Sequence, residues 1–146
     1  MRFWDSSALL PLVSEEAFSG VVAGLLREDG EIAVWWGTWP ECSAAVTRLR
    51  RENSLHEAGE EEAWEALDHL ASNWIEQSPT DDTRLLAMLV SKRHPLKAAD
   101  TLQIAAALRW GEGETNGAGF VCLDSRLRQV ASDEGFEVLP ATLGII

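Results

Sequence analysis

The sequence has no long hydrophobic run and few cysteines, and both scarcities limit what the chain can be. No apolar stretch among its residues approaches the ~20 residues that span a bilayer. The start, Met1-Arg2 with an acid already at Asp5, does not resemble a signal peptide. Cys42 and Cys122 lie far apart inside apolar segments, which is typical of reduced, buried thiols. We therefore expect a cytoplasmic protein with no membrane segment.

Several catalytic and nucleotide-binding motifs are also missing. The sequence contains no Gly-x-Ser-x-Gly, no P-loop and no glycine-rich dinucleotide fingerprint. His56, His69 and His94 have no ligand spacing to one another or to the cysteines, which argues against a zinc site. The sequence contains no Ser/His or Cys/His constellation that would indicate a protein nucleophile. Any catalytic chemistry therefore has to come from other residue types.

Basic residues are scarce. Twelve Lys and Arg stand against 24 Asp and Glu, which gives a formal net charge of −12. Proteins that hold nucleic acid by counterion release usually present a basic face. Much of the acidic excess lies between Glu52 and Asp68, which we interpret as a solvated helix face. The charge favours a basic protein partner, and a bound RNA would need metal ions to offset local repulsion.

Short apolar segments alternate with helical patterns along the chain. Strands are predicted at 2–4, 32–36, 74–77, 120–123 and 136–139. A turn or helix is predicted at 6–13, and helices at 15–28, 38–52, 54–73, 79–92, 98–110 and 125–134. Within 79–92, the side chains expected to face inward are Leu85, Leu86, Leu89 and Val90. This alternation predicts an α/β fold with a parallel sheet covered on both faces, in a single domain over 1–146.

Four carboxylates stand where an apolar strand or helix meets a turn. They are Asp5 after Phe3-Trp4, Glu41 after Thr38-Trp39-Pro40, Asp100 after Leu96-Lys97-Ala98-Ala99, and Asp124 after Phe120-Val121-Cys122-Leu123. In an α/β sheet, junctions at the carboxyl ends of strands converge on one crevice. Each pair of like charges there costs about 3 kcal/mol at ~5 Å and an effective dielectric of ~20. Protons or divalent cations must offset that cost, and carboxylate oxygens suit Mg²⁺ or Mn²⁺. The sequence therefore predicts a metal-dependent site for phosphate chemistry.

Each of these acids also has a purely structural interpretation. Asp5 and Asp124 could each cap the helix that follows. Glu41 fits a capping box with the threonine three residues before it. Asp100 would gain from the helix dipole in the first turn of helix 98–110. That helix is apolar almost all round, which indicates burial on most sides and makes Asp100 the most informative of the four.

The neighbours of the acids allow more than one role. Three hydroxyl residues could orient a carboxylate or a water, or simply form turns: Ser7, Thr101 and Ser125. Three arginines near the end of the Glu41 helix would be solvated or contact a phosphate: Arg48, Arg50 and Arg51. Three tryptophans cluster near Glu41 as core or interface material: Trp35, Trp36 and Trp39.

Taken in order, these segments resemble the PIN-domain ribonucleases, above all the VapC-type toxins of prokaryotic toxin–antitoxin pairs. The likeness rests on Asp5-Ser6-Ser7-Ala8-Leu9, on Glu41 followed by a helix, on the segment 96–107 around Asp100, and on the segment 122–127 around Asp124. It covers essentially the whole chain, and the 96–107 segment is its most specific part. Cys122 is a departure, because many relatives carry Thr two residues ahead of the acid.

The resemblance implies a PIN-like three-layer α/β/α fold with a central, roughly five-stranded parallel sheet. It implies an endoribonuclease site that depends on Mg²⁺ or Mn²⁺ and is formed by Asp5, Glu41, Asp100 and Asp124. It also implies homodimers, and inhibition by a cognate antitoxin whose basic C-terminal arm enters the acidic groove. The expected function is the RNA-cleaving toxin of such a pair. The alternative is a non-catalytic PIN-like module that grips a basic peptide or RNA without cleaving it, which the net charge favours.

Overall fold

Strands and helices alternate along the chain in the computed structural model, which describes residues 1–144. The strands are β1 (Arg2–Trp4), β2 (Ile32–Trp35), β3 (Ile75–Gln77), β4 (Gly119–Val121) and β5 (Glu137–Leu139). The helices are α1 (Ser6–Val13), α2 (Ser19–Glu28), α3 (Thr38–Arg51), α4 (Glu57–Asn73), α5 (Asp81–Arg93), α6 (Ala98–Trp110) and α7 (Ser125–Asp133). Among the helices of residues 1–144, none combines the length and the hydropathy that a membrane span requires.

The five strands form one parallel sheet in the order β3-β2-β1-β4-β5. Phe3 in the central strand pairs with Ala33 on one side and with Phe120 on the other. The chain builds outward from β1 to β3 and then crosses to the opposite side of β1 to add β4 and β5. The strand order therefore reverses between β1 and β4, which is where open α/β sheets form a binding crevice.

Apolar side chains cover both faces of the sheet. Trp4 belongs to a buried cluster with side chains of α1 to α4, including Leu67. Phe3, its neighbour in β1, belongs to a second cluster with Phe120 and with side chains of α5 to α7, including Ile104. Neighbouring strand residues point to opposite faces, so the two clusters lie on opposite sides of the sheet. The predicted three-layer α/β/α architecture with a five-stranded parallel sheet is confirmed.

Several element boundaries differ from the prediction. Helix α2 begins at Ser19 and not at residue 15, and the Ser19 hydroxyl bonds the Pro11 carbonyl and the Glu16 N–H in the turn that precedes the helix. Helix α4 begins at Glu57, three residues later than predicted. Strand β2 ends at Trp35, so Trp36 lies outside the sheet with 53% of its surface exposed.

The predicted inward face of α5 is wrong for two of its four side chains. Leu85 and Leu89 are 58% and 51% exposed, whereas Val90 is buried as expected and Leu86 is partly buried. Helix α5 instead buries smaller side chains, namely Thr83, Ala87 and Val90. Small residues allow α5 to pack closely on α6, and this packing turns the leucines outward.

Candidate functional site

The carboxyl ends of β1 and β4 open into a crevice of about 410 Å³. All four predicted acids line it: Asp5, Glu41, Asp100 and Asp124. The other lining residues are Ser6, Ser7, Leu10, Ala44, Ala45 and Arg48. Two of the acids follow β1 and β4, and the other two lie in the first turns of α3 and α6. The fold thus gathers acids from four separate segments at the switch point of the sheet.

Asp5 caps α1 and also faces the crevice. Its Oδ2 accepts a hydrogen bond from the Ser7 N–H at 3.1 Å, and the Cys122 thiol lies 3.6 Å from the same oxygen. Burial raises the pKa of Asp5, because only 5% of the residue is exposed. Hydrogen bonds from Ser7 and from Cys122 lower this pKa in part, and the charge of Asp100 raises it. The capping and crevice roles predicted for Asp5 are therefore compatible.

Glu41 does not form the capping box that its spacing suggested. Thr38 is already the first residue of α3, and the Glu41 carboxylate points away from it toward the crevice wall. Glu41 Oε2 accepts from the Ser6 hydroxyl at 3.2 Å, and Oε1 accepts from Gln103 Nε2 at 3.3 Å. Burial and then the charge of Asp5 raise the pKa of Glu41, while these two hydrogen bonds lower it. Hydrogen bonds therefore fix the Glu41 carboxylate close to the carboxylate of Asp5.

Asp100 and Asp124 form the outer part of the crevice. Among the hydrogen bonds within residues 1–144, none involves the half-buried Asp100 carboxylate. Burial and then the charge of Asp124 raise the pKa of Asp100, while Lys97 and Arg126 lower it. The exposed Asp124 caps α7, because its Oδ1 accepts from the Leu127 N–H at 2.9 Å. As at Asp5, the capping interaction leaves this acid in the crevice.

The predicted hydroxyl neighbours behave differently from one another. The Ser7 hydroxyl accepts from the Leu123 N–H at 2.9 Å and so ties the end of β4 to α1. The Thr101 hydroxyl donates to the Ala98 carbonyl at 2.7 Å, inside its own helix, so it orients no carboxylate. The Ser6 hydroxyl, which the sequence did not single out, donates to Glu41 Oε2 in the crevice.

Both cysteines are buried free thiols, as predicted. Cys122 lies beside Asp5. It stands two residues ahead of Asp124, where many PIN-domain ribonucleases carry Thr. Burial and the Asp5 charge raise the pKa of Cys122, so the thiol is neutral and donates a weak hydrogen bond. A neutral, buried thiol is not a nucleophile, and Cys122 therefore supports the position of Asp5.

Gln103 is a site residue that the sequence analysis missed. It is fully buried on α6, one turn after Asp100, and its Nε2 donates to Glu41 Oε1 and, at 3.1 Å, to the Thr38 hydroxyl. Within residues 1–144, the Gln103 Oε1 is buried without a hydrogen-bond partner. A glutamine three residues after the acid in an otherwise apolar helix was the available signal, because this spacing shares a helix face. Gln103 is a positioning residue for Glu41.

Replacing Gln103 with Met tests this positioning role. The substitution keeps the side-chain length but removes both donated hydrogen bonds, so we expect the free energy of unfolding to fall by about 1 kcal/mol. The pKa of Glu41 should rise further, because one of the bonds that lowers it is lost. Denaturant unfolding measures the first effect, and NMR titration of the glutamate carboxyls measures the second. Gln129→Met, at an exposed position of α7, is the matched control, and an unchanged Glu41 pKa in Gln103→Met would contradict the assignment.

The carboxylates that line the crevice are suitable ligands for a hard divalent cation. Carboxylate oxygens are the ligands that Mg²⁺ and Mn²⁺ prefer. Three of the four acids have raised pKa values that arise partly from one another, which is the electrostatic cost a cation relieves. Within residues 1–144, no three His, Cys, Asp or Glu side chains are already arranged as a metal-ion ligand set. The negative charge and the oxygen atoms of these side chains suit such an ion. The side chains do not, however, form a complete ligand shell around one position.

One positive side chain lines the crevice among the described residues, that of Arg48. The neighbouring Arg50 instead pairs with Glu60 on α4, at 2.8 Å between Nε and Oε2. The exposed acids of α4 point to solvent, as predicted for this segment. Of the three arginines at positions 48, 50 and 51, Arg48 is therefore the one that can contact a ligand bound in the crevice.

These features define a PIN-like α/β/α protein with an acidic crevice at the switch point of its sheet. The chain is similar to the solved structure of FitAcB from Neisseria gonorrhoeae, with a TM-score of 0.67 and 14% identity over 97% of this chain and 98% of that chain. It is also similar to PAE2754 from Pyrobaculum aerophilum, with a TM-score of 0.60 and 18% identity over 88% of this chain and 78% of that chain. No family model matches the sequence, and a search of curated proteins found no match. At these identities, the likeness shows the fold.

Proposed function

We propose that the protein is a metal-dependent endoribonuclease that acts as the toxin of a toxin–antitoxin pair. The supporting observation is that Asp5, Glu41, Asp100 and Asp124, which are distant in sequence, line one crevice of a PIN-like sheet. Their mutual repulsion calls for a positive ligand, and a cation alone would leave room in a crevice of about 410 Å³ for a phosphodiester. RNA as the substrate rests on the resemblance of the motifs to VapC-type toxins.

The chain's own residues have distinct tasks in this proposal. Asp5, Glu41, Asp100 and Asp124 would hold one or two Mg²⁺ or Mn²⁺ ions. When bound, a divalent ion supplies the Lewis acidity that activates water and offsets charge on phosphodiester oxygens. Ser6 and Gln103 keep the Glu41 carboxylate directed into the crevice. The helix caps fix Asp5 and Asp124 in the same way.

The direct experiment is an RNA cleavage assay with added Mg²⁺ or Mn²⁺. The substrates are total RNA and short labelled single strands, because base preference depends on loop contacts and RNA shape. The proposal requires products that appear with either ion and disappear when EDTA is added. Intact RNA under every metal condition, from protein shown to be folded, would contradict it.

Arg48 is the residue we assign to substrate phosphate, because it brings positive charge to an acidic crevice. Arg48→Ala is expected to raise KM about tenfold through loss of one charge-assisted contact. The contact does not change during the reaction, so kcat should stay within about threefold of the wild type. Steady-state kinetics on a labelled RNA measure both, with exposed Arg51→Ala as the matched control. A fall in kcat at constant KM would place Arg48 in a different role.

The net charge of −12 favours a second candidate, a PIN-like module that grips a basic peptide or RNA without cleaving it. An acidic crevice is complementary to Lys and Arg side chains. The same charge fits the basic C-terminal arm of a cognate antitoxin, which would act as an inhibitor of the enzyme. The two candidates differ in one observable, because the module would bind an Arg-rich peptide and give no EDTA-sensitive RNA products.

A further inference from the structure

Two tryptophan side chains, Trp36 and Trp39, lie largely exposed a few residues before Glu41. They are 53% and 42% exposed, whereas the other aromatic side chains within residues 1–144 are buried or partly buried. Tryptophan is highly buried on average and provides a large, rigid apolar face. A pair of exposed indoles within one four-residue segment therefore indicates a binding surface.

Both rings are placed beside the acidic crevice. Trp36 directly follows β2 at the carboxyl edge of the sheet, where its N–H bonds the Gln77 carbonyl at 3.0 Å. Trp39 lies in the first turn of α3, two residues before Glu41 and so about 3 Å from it along the helix axis. Glu41 lines the crevice. A chain that leaves the crevice across the start of α3 would therefore meet the two rings.

Each exposed ring is supported by a buried one. Trp36 contacts Trp35, with ring centroids 6.3 Å apart and planes at 69°. Trp39 contacts Trp74 in the same way, at 6.0 Å and 88°. A side chain at position 37 would collide with the Trp35 indole, so Gly37 lets the backbone after Trp36 pass close to that ring. The exposed rings are thus held in place before a ligand binds, which reduces the entropic cost of binding.

The net charge of the chain limits how a nucleic acid could be held at this crevice. With a net charge of −12, the protein gains little from counterion release. Arg48 is the one positive side chain that lines the crevice within residues 1–144. Stacking of a base on an aromatic ring needs no positive charge and strengthens binding by about 5- to 150-fold per base. Exposed indoles are therefore a suitable source of affinity for this acidic protein.

The surface around the rings suits bases better than a second protein. Between residues 32 and 46, no large aliphatic side chain is exposed beside the two indoles. A stable protein interface buries about 800 Å² on each partner around an apolar centre. A stacked base needs only the face of one ring. Bases are free to stack on protein rings in single strands and loops, so a duplex would be a poor ligand.

We propose that Trp36 and Trp39 are stacking platforms for the bases of a single-stranded RNA whose phosphodiester lies in the crevice. This rests on the proposed function in taking RNA as the ligand, and it does not require that the RNA be cleaved. The two tryptophans provide affinity and the preference for single strands. Hydrolysis is left to the acids of the crevice.

The direct test compares two labelled strands of about 12 nucleotides, an oligouridine and a strand of equal charge made of abasic residues. Fluorescence anisotropy with Mn²⁺ measures both Kd values in Asp5→Asn protein, so that binding is followed without cleavage. This parent should bind the abasic strand at least about fivefold more weakly. Trp36→Leu and Trp39→Leu should each weaken oligouridine binding at least about fivefold and change abasic-strand binding less than about twofold.

Equal affinity of the parent for the two strands would overturn the proposal, as would Leu variants that lose the same factor on both strands. The comparison of strands on the parent decides the question even if a Leu variant unfolds. Trp36→Phe and Trp39→Phe keep an aromatic face and should bind oligouridine within about threefold of the parent. Val21→Ala, at an exposed position of α2, is the control and should leave both Kd values unchanged.

A cleavage assay separates this proposal from the proposed function. In an active wild-type background, Trp36→Leu should raise KM at least about fivefold and keep kcat within about threefold, because stacking does not change during the reaction. Cleavage without discrimination between the strands would retain the nuclease and remove the platforms. Discrimination without cleavage would do the reverse. Leu variants that weaken only the binding of an Arg-rich peptide would assign the rings to a protein partner and overturn the proposal.

Discussion

Asp5→Asn and Asp100→Asn should each remove RNA cleavage, with a fall in kcat/KM of about 10³-fold or more. Asparagine keeps the size of the side chain and, at position 5, an oxygen that accepts the Ser7 N–H and caps α1. It loses the negative charge that would hold a divalent cation. Single-turnover cleavage of a labelled RNA, with chelator-treated reagents, measures the effect.

The control for both variants is Asp68→Asn on the exposed face of α4, which makes the same change in net charge outside the crevice. It should retain full activity. Circular dichroism should show that all three variants are folded, because neither crevice substitution removes apolar packing. Wild-type activity in Asp5→Asn or Asp100→Asn, with metal contamination excluded, would remove the basis for the proposed nuclease.

Much of the fold could be predicted because its signals are local. Strand β2 is a continuous apolar run buried on both faces, which is typical of a parallel sheet. Helix α6 was predicted with its observed bounds, since its alanine-rich pattern starts and ends at clear breaks. The crevice acids could be predicted as a group because each lies at the end of an element, and the direction of a parallel sheet decides where those ends meet.

The remaining features depend on contacts between residues that are distant in sequence. Glu41 is bound by Ser6 and by Gln103, at separations of 35 and 62 residues, and no local pattern pairs these side chains. The capping box was an equally good local interpretation of Glu41, and it was wrong because Thr38 is already helical.

Helix α5 shows the same limit for packing. Its sequence offers apolar side chains on more than one face, so periodicity alone could not choose the buried one. Packing against α6 selected the face with Ala87, because small residues allow the helices to approach closely. Leu85 and Leu89 are therefore exposed.

The stability of the metal-free protein should depend on pH through the same acids. Asp5, Glu41 and Asp100 have pKa values raised above those of ordinary carboxyls, so the folded chain holds their protons more tightly than the unfolded chain does. Their contribution to stability is therefore present at low pH and is lost as the pH rises through the raised pKa values. Asp29 and Glu134 have lowered pKa values, so their contribution to stability is instead lost as the pH falls. Subtracting the pH profile of Asp100→Asn from that of the wild type isolates the part of this contribution that depends on Asp100.

Divalent cations should reverse this loss. At pH 7, Mn²⁺ at a concentration ~100-fold above its Kd should raise the melting temperature by about 5–10 °C, because it binds only the folded state. The shift should shrink toward pH 5, where protons compete for the same carboxylates, and it should be absent in Asp100→Asn. Differential scanning calorimetry measures the shift, with NaCl at equal ionic strength to account for screening. An equal shift in the wild type and in Asp100→Asn would place the cation outside the crevice, because an ion held by these acids must respond to the loss of one of them.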